Sequence, residues 1–246
     1  MPSVAVILPA AGQSRRFHDK YYKKPFAQLG GKAVWLHAAE RFLSRSEVQQ
    51  VIVVIAQEDR EEFARKFGAN LAFLGVEVCE GGAHRSDSVE RALQVVKPEI
   101  DLVAVHDTAR PCFTDPQLDA VFAAADRDGA AILAVRVAAT LKRDDGKQRI
   151  SATVDRSGLW EAQTPQVFRR ELLLEAYAAR DQEAATDDAG LVEKLGRPVR
   201  LVEGSALNIK ITTREDLKLA EQILKVLPRP KPDGMAHPFA DDDLWR

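Results

Sequence analysis

Two cysteines in 246 residues, Cys79 and Cys112, are too few to staple a domain of this length. Neither sits in a Cys-x-x-Cys pair or beside a histidine at metal-ligand spacing, so both are expected to be reduced, structural thiols. Long apolar runs are also missing: none approaches the ~18 residues of a membrane span. The apolar opening Val4-Ala-Val-Ile-Leu8 has no preceding basic segment and no small-residue cleavage site, which argues against a secretory leader and predicts a cytoplasmic protein. Charge of one sign is lacking too, with 35 Lys+Arg against 37 Asp+Glu and a formal charge of −2. That balance excludes a general nucleic-acid or membrane-surface binder, and any cationic site must be built locally. What is present is an ordinary globular composition: 46% hydrophobic residues are too many for global disorder and enough for a sizeable core.

Short β-branched runs recur at Val4 to Leu8, Val51 to Ile55, Val76 to Val78, Leu102 to Val105 and Ile132 to Val137. Between them, apolar residues fall at i, i+3, i+4, i+7: Trp35, Ala38, Ala39 and Phe42; Val89, Ala92, Leu93 and Val96; Leu118, Val121, Phe122 and Ala125. Asp115 is the expected N-cap of the third helix, with Pro116 in its first turn. Strands alternating with helices predict an α/β fold, an open, mostly parallel twisted sheet covered by helices on both faces. The alternation breaks at residues 138–157, where Lys142-Arg-Asp-Asp-Gly-Lys147 lies between strand-like segments. This reads as a protruding β-hairpin arm, too polar to stand alone and expected to pack on a second subunit. Helical patterns return at Glu171 to Ala179, Asp187 to Leu195 and Arg214 to Val226, with short strands expected at Val199 to Val202 and Asn208 to Ile211. A single domain over 1–227 is expected, and the Pro-rich, then acidic 228–246 is expected to be a mobile tail.

After the first strand comes Pro9-Ala-Ala-Gly-Gln-Ser-Arg-Arg16. Small side chains let backbone N–H groups approach a phosphate, and arginine supplies a fork of donors matched to its oxygens. The turn lacks the Gly-Lys-Ser/Thr of a P-loop and the three spaced glycines of a dinucleotide site, which makes a dehydrogenase the weakest reading. Alone, the turn is equally a βα connection with two solvated arginines. Further along stand Gly81-Gly82 with Ser86-Asp-Ser-Val89, Val105-His-Asp-Thr-Ala-Arg-Pro111, Thr153-Val-Asp-Arg156, Gln163-Thr-Pro-Gln166, Thr186-Asp-Asp188 and Asn208-Ile-Lys-Ile-Thr212. In this order, from about Val4 to Ile223, the set resembles the 2-C-methyl-D-erythritol 4-phosphate cytidylyltransferases.

The resemblance implies a Rossmann-like nucleotidyltransferase domain, a homodimer clasped through the arm, and a Mg²⁺-dependent reaction of CTP with an alditol phosphate. Such a reaction needs no protein nucleophile. A phosphate oxygen of the acceptor attacks the α-phosphorus of CTP, so the site must align two anions and neutralise them. By resemblance, Ala10, Ala11, Gly12, Gly82 and Ser88 hold CTP, while Arg16 and Lys24 act on its phosphates, with Lys23 the alternative to Lys24 because the motif appears here as Lys23-Lys24-Pro25. Ser86 or Asp87 is alternatively just a helix cap. Asp107 is implied as the metal ligand beside the substrate. Arg110, Thr140, Thr164, Arg156 and Lys210 are implied to grip the acceptor, the last two also in catalysis, with Thr140 and Arg156 acting from the arm. The plainer alternatives are a turn-forming Asp107, an Arg156 paired with Asp155, and solvated Lys24 and Lys210.

Three positions depart from the pattern: Ser14 replaces a loop glycine, Ala83 an acidic residue, and Ala139 the aspartate before Thr140. They bear more on the acceptor than on the nucleotide. The competing readings are a cytidylyltransferase for another alditol phosphate, such as D-ribitol 5-phosphate, and a nucleotide-binding relative without catalysis.

Overall fold

The computed structural model describes residues 1–12, 26–180 and 186–228. Arg16, Lys23, Lys24, Ser14 and the tail beyond Pro228 lie outside the described residues. The strands are β1 (Val4–Pro9), β2 (Gln28–Leu29), β3 (Lys32–Ala33), β4 (Val48–Ile55), β5 (Glu77–Glu80), β6 (Leu102–Val105), β7 (Ala130–Arg136), β8 (Leu141–Asp144), β9 (Ile150–Val154), β10 (Trp160–Arg169) and β11 (Arg200–Glu203). Helices are α1 (Val34–Leu43), α2 (Arg60–Leu74), α3 (Arg85–Leu93), α4 (Asp115–Asp128), α5 (Arg170–Ala178), α6 (Asp188–Lys194) and α7 (Arg214–Val226). Among the described residues none is long and apolar enough to cross a membrane.

Seven strands form one sheet in the order β11-β7-β10-β6-β1-β4-β5. Among the described residues only β10 runs antiparallel within it, paired with β6 on one side and β7 on the other. The chain winds outward from β1 through β4 to β5, then returns to place β6 on the other side of β1. That reversal is a topological switch point, and its crevice lies beyond the carboxyl ends of β1 and β6, where open α/β sheets bind ligands.

The alternation of β1 divides the core. Val4, Val6 and Leu8 pack with Trp35 and Phe42 of α1, Phe63 of α2 and Leu118 of α4. Ala5 and Ile7 pack on the opposite face with Val89 of α3, Leu173 of α5 and Val192 of α6. Both faces are therefore covered, as the strand and helix alternation predicts. Trp35 and Phe42 are fully buried, and burial of each such side chain contributes about 1.5–3 kcal/mol.

Two local expectations are corrected, and one helix is unanticipated. Thr114, not Asp115, caps α4, and the Gln117 side chain accepts the Thr114 N–H at 2.9 Å. Asp115 instead pairs with the buried Arg41. Asn208 to Ile211 is not a strand, because its backbone is tied to the loop after β6, with the Ile211 N–H donating to the Ala109 carbonyl at 2.8 Å. Helix α2 has a weak apolar stripe, Phe63 and Phe67 being its buried residues, and no helix is predicted there from periodicity. The arm is present as the antiparallel pair β8 and β9, a sheet of its own with exposed residues, including Ile150.

Candidate active site

Two clefts open at the switch point. The first is lined by Pro9 to Gly12 at the end of β1 and beyond it, Gly82 to Arg85 after β5, Ser88, Asp107 to Ala109 after β6, and Lys210. The second adjoins it and is lined by Arg110, Ala162 to Thr164, Gln166, Thr186 and Asp187. Arg85, Asp107 and Lys210 line both.

The first cleft is built from backbone brought close. Ala10 N–H donates to the Val54 carbonyl and Gly81 N–H to the Ile55 carbonyl, both at 2.7 Å, so the loops after β1 and β5 lie against β4. A Cβ on Gly81 would stand 2.6 Å from the Ala11 Cβ, and one on Gly82 2.4 Å from the Asp87 Cβ. Glycine is needed at both for this close approach. The Ser88 hydroxyl accepts the Gly82 N–H and donates to the His84 carbonyl, each at 3.1 Å, pinning that loop to α3. His84 is the cap of α3, and Asp87 accepts its N–H at 2.9 Å. Neither Ser86 nor Asp87 is therefore the cap, since the helix starts before them.

Asp107 is the centre of charge. Its carboxylate lies 2.7 Å from Lys210 Nζ, 3.5 Å from Arg85 Nε and 3.7 Å from Arg110 Nε. Burial alone would raise this carboxyl, but Arg85, Lys210 and Arg110 outweigh it and hold it well below the usual carboxylate range. Lys210 arrives there through the tied Asn208 to Ile211 segment: Asn208 and Ile211 are fully buried, and the Asn208 carbonyl accepts from Arg110 Nη1 at 2.7 Å.

A buried hydrogen-bond chain shapes the Asp107 turn from behind. Thr164 Oγ1 accepts the Asp107 N–H at 3.0 Å and meets His106 Nδ1 at 3.2 Å, while His106 Nε2 meets the Arg110 carbonyl at 2.9 Å. A carbonyl only accepts, so Nε2 carries the proton and Nδ1 accepts from Thr164. Burial pushes the His106 imidazole down to about 4 and keeps it neutral. Thr164 is brought to this position at a register shift in β10 between Ala162 and Gln166. Its hydroxyl is thus engaged with the Asp107 turn.

Thr140 and Arg156 line neither cleft in the single chain. Both are exposed on the arm, and Arg156 Nη1 donates to the Ala138 carbonyl at its base.

A model of the 2-C-methyl-D-erythritol 4-phosphate cytidylyltransferases matches residues 4–226. The chain belongs to this family. The 2-C-methyl-D-erythritol 4-phosphate cytidylyltransferase of Rhodopirellula baltica is 45% identical over 233 residues, covering 90% of this chain and 95% of that one. That of Bacillus velezensis is 42% identical over 223 residues, covering 89% and 95%. The crystal structure of the Thermus thermophilus cytidylyltransferase superposes with a TM-score of 0.73 at 38% identity, covering 91% of this chain and all of that one.

The donors present bear on the magnesium that the resemblance implies. Among the described residues no group of three or more His, Cys, Asp or Glu forms a metal cage. Magnesium beside a triphosphate is typically held by one or two carboxylates together with phosphate oxygens. A single carboxylate kept ionised at the mouth of both clefts fits that requirement.

Arg85 is the residue here to which no sequence motif pointed. It directly precedes Ser86, and its partners Asp107 and Asp188 lie far away in the chain, so no spacing reveals it.

Proposed function

We propose that the protein transfers CMP from CTP to 2-C-methyl-D-erythritol 4-phosphate, forming 4-diphosphocytidyl-2-C-methyl-D-erythritol and pyrophosphate in the non-mevalonate isoprenoid pathway. The observation that carries this is the pair of clefts sharing Asp107 and Lys210 at the switch point of a chain that belongs to the family. CTP takes the first cleft, held by the backbone of Ala10, Ala11 and Gly12 and by the Gly82 to Ser88 corner. The acceptor takes the second, where Arg110 and Lys210 grip its phosphate and Thr164 supports the turn beneath it. An oxygen of that phosphate attacks the α-phosphorus, and the bond to the bridging oxygen breaks as pyrophosphate leaves. Arg16 and Lys24 neutralise the phosphates during transfer.

Asp107 would hold magnesium, which when bound would draw charge from the triphosphate. Its ionised carboxylate needs no proton loss to do so. Thr140 and Arg156 complete the acceptor cleft from the arm of a second copy, so the working unit is a homodimer. Residues 1–227 form the transferase domain, 138–157 its dimerisation arm and 228–246 a tail. The protein works in the cytoplasm, where its two charged substrates are dissolved.

The test is pyrophosphate release from CTP and magnesium with each purified alditol phosphate, repeated after chelation. Turnover with the methylerythritol substrate, abolished by chelator, is expected. Turnover with D-ribitol 5-phosphate alone would overturn the acceptor assignment, and none with any acceptor would overturn the enzymatic reading.

A further inference from the structure

Arg85 occupies a position that no other cation besides Lys210 shares among the described residues: it lines the nucleotide cleft and the acceptor cleft at once. The two phosphates that react must meet where these clefts meet. They repel each other, and a fixed cation between them lowers that repulsion.

The guanidinium is anchored from behind. Arg85 Nη2 donates to Asp188 Oδ2 at 2.8 Å, and Asp188 is fully buried. The other Asp188 oxygen accepts the Tyr177 hydroxyl at 2.6 Å. The Asp188 and Ala189 N–H groups both donate to Gln166 Oε1, which fixes the start of α6 against β10. On its other side Arg85 Nε is 3.5 Å from Asp107, an ion pair looser than the bond to Asp188. The side chain keeps 29% exposure. One side of the fork is therefore held rigidly, while the other faces the junction, where an anionic oxygen would make a closer contact than Asp107 does. Arginine suits this role because its planar donors serve two partners at once.

We propose that Arg85 is a catalytic residue of the transfer, a cation fixed by Asp188 that spans the acceptor phosphate and the α-phosphate of the nucleotide. This rests on the cytidylyltransferase reading above.

The competing role is a counter-ion for Asp188, and the two separate in a pair of substitutions. Arg85→Gln strands a buried carboxylate, so it lowers both the melting temperature and turnover. Adding Asp188→Asn removes that stranded charge. In the double variant the melting temperature is expected to return close to that of the unmodified protein, while kcat stays down by about 10² or more. Recovery of both would overturn the proposal. Arg85→Lys keeps a charge for Asp188 should the double variant fail to fold, and unchanged kcat in it would also overturn the proposal. Calorimetric binding of inorganic phosphate, expected to weaken at least about tenfold in the double variant, reads Arg85 without turnover. If the unmodified protein turns over no acceptor yet phosphate binding still depends on Arg85, the cytidylyltransferase reading fails and the junction cation stands. Unchanged phosphate binding would overturn the cation.

Discussion

Lys210 Nζ stands 2.7 Å from a carboxylate oxygen of Asp107, at the line where two clefts meet. The lysine side chain is 41% exposed and the aspartate 13%, so the pair is reachable from solvent without being dissolved in it. The aspartate is largely sheltered and the lysine half-exposed, so the pair holds opposite charges ready beside two anionic ligands.

Asp107→Asn is expected to lower kcat by about 10² or more while leaving Arg85, Arg110 and Lys210 crowded without their shared counter-ion. Kinetics of pyrophosphate release at saturating magnesium checks this, and near-normal turnover would remove Asp107 from the reaction.

Stability of the ligand-free protein should fall as pH drops from neutrality. The buried His106 takes up a proton only near 4 in the folded state, against 6.5 when exposed. Between these values the unfolded chain binds more protons, so stability is full above about 6.5 and is lost progressively down to about 4. The whole window is worth about 3 kcal/mol. Melting temperatures from pH 7 to 4.5 measure it, and a His106→Gln variant should show a shallower slope.

Gly82→Ala should raise the KM for CTP at least about tenfold and destabilise the protein by about 1–3 kcal/mol, since its Cβ has no room beside Asp87. Ser88→Ala, which frees the Gly82 N–H, should move KM in the same direction by less. Unchanged CTP binding in both would separate this corner from the nucleotide.

Arg156→Ala should leave CTP binding intact and abolish acceptor turnover. If the arm completes the partner's cleft, mixing Arg156→Ala with Lys210→Ala subunits should restore part of the activity, because one site in the mixed dimer is intact. Sedimentation as a monomer at assay concentration would defeat the homodimer.

Arg16→Ala and Lys24→Ala should each cost about 10²–10³ in turnover. Lys23→Ala serves as the comparison, and a loss there with none at Lys24 would exchange the two lysines.

Much of the fold is legible locally. The β1, β4 and β6 runs and the stripes of α1, α3 and α4 are periodic patterns set by which face each residue must bury, and the structure places those residues on the two faces of the sheet. Helix α2 is illegible because its stripe is narrow, and β10 because its antiparallel course depends on neighbours on both sides. The Asn208 to Ile211 segment alternates like a strand, but its backbone groups find partners across the chain rather than in a ladder.

Most element types, the small-residue turn after β1, the arm, and the ordered motifs that place the chain in its family follow from the order of residues alone. They do so because helix and strand periods, glycine and proline are local constraints. Folding was needed to make Arg85, Arg110 and Lys210 converge on one carboxylate, to anchor Arg85 on Asp188, and to keep His106 neutral beneath the Asp107 turn. Each of these depends on distances between residues remote in the chain and on burial, which no spacing encodes. A chain with almost no net charge thereby concentrates three cations where two phosphates would meet.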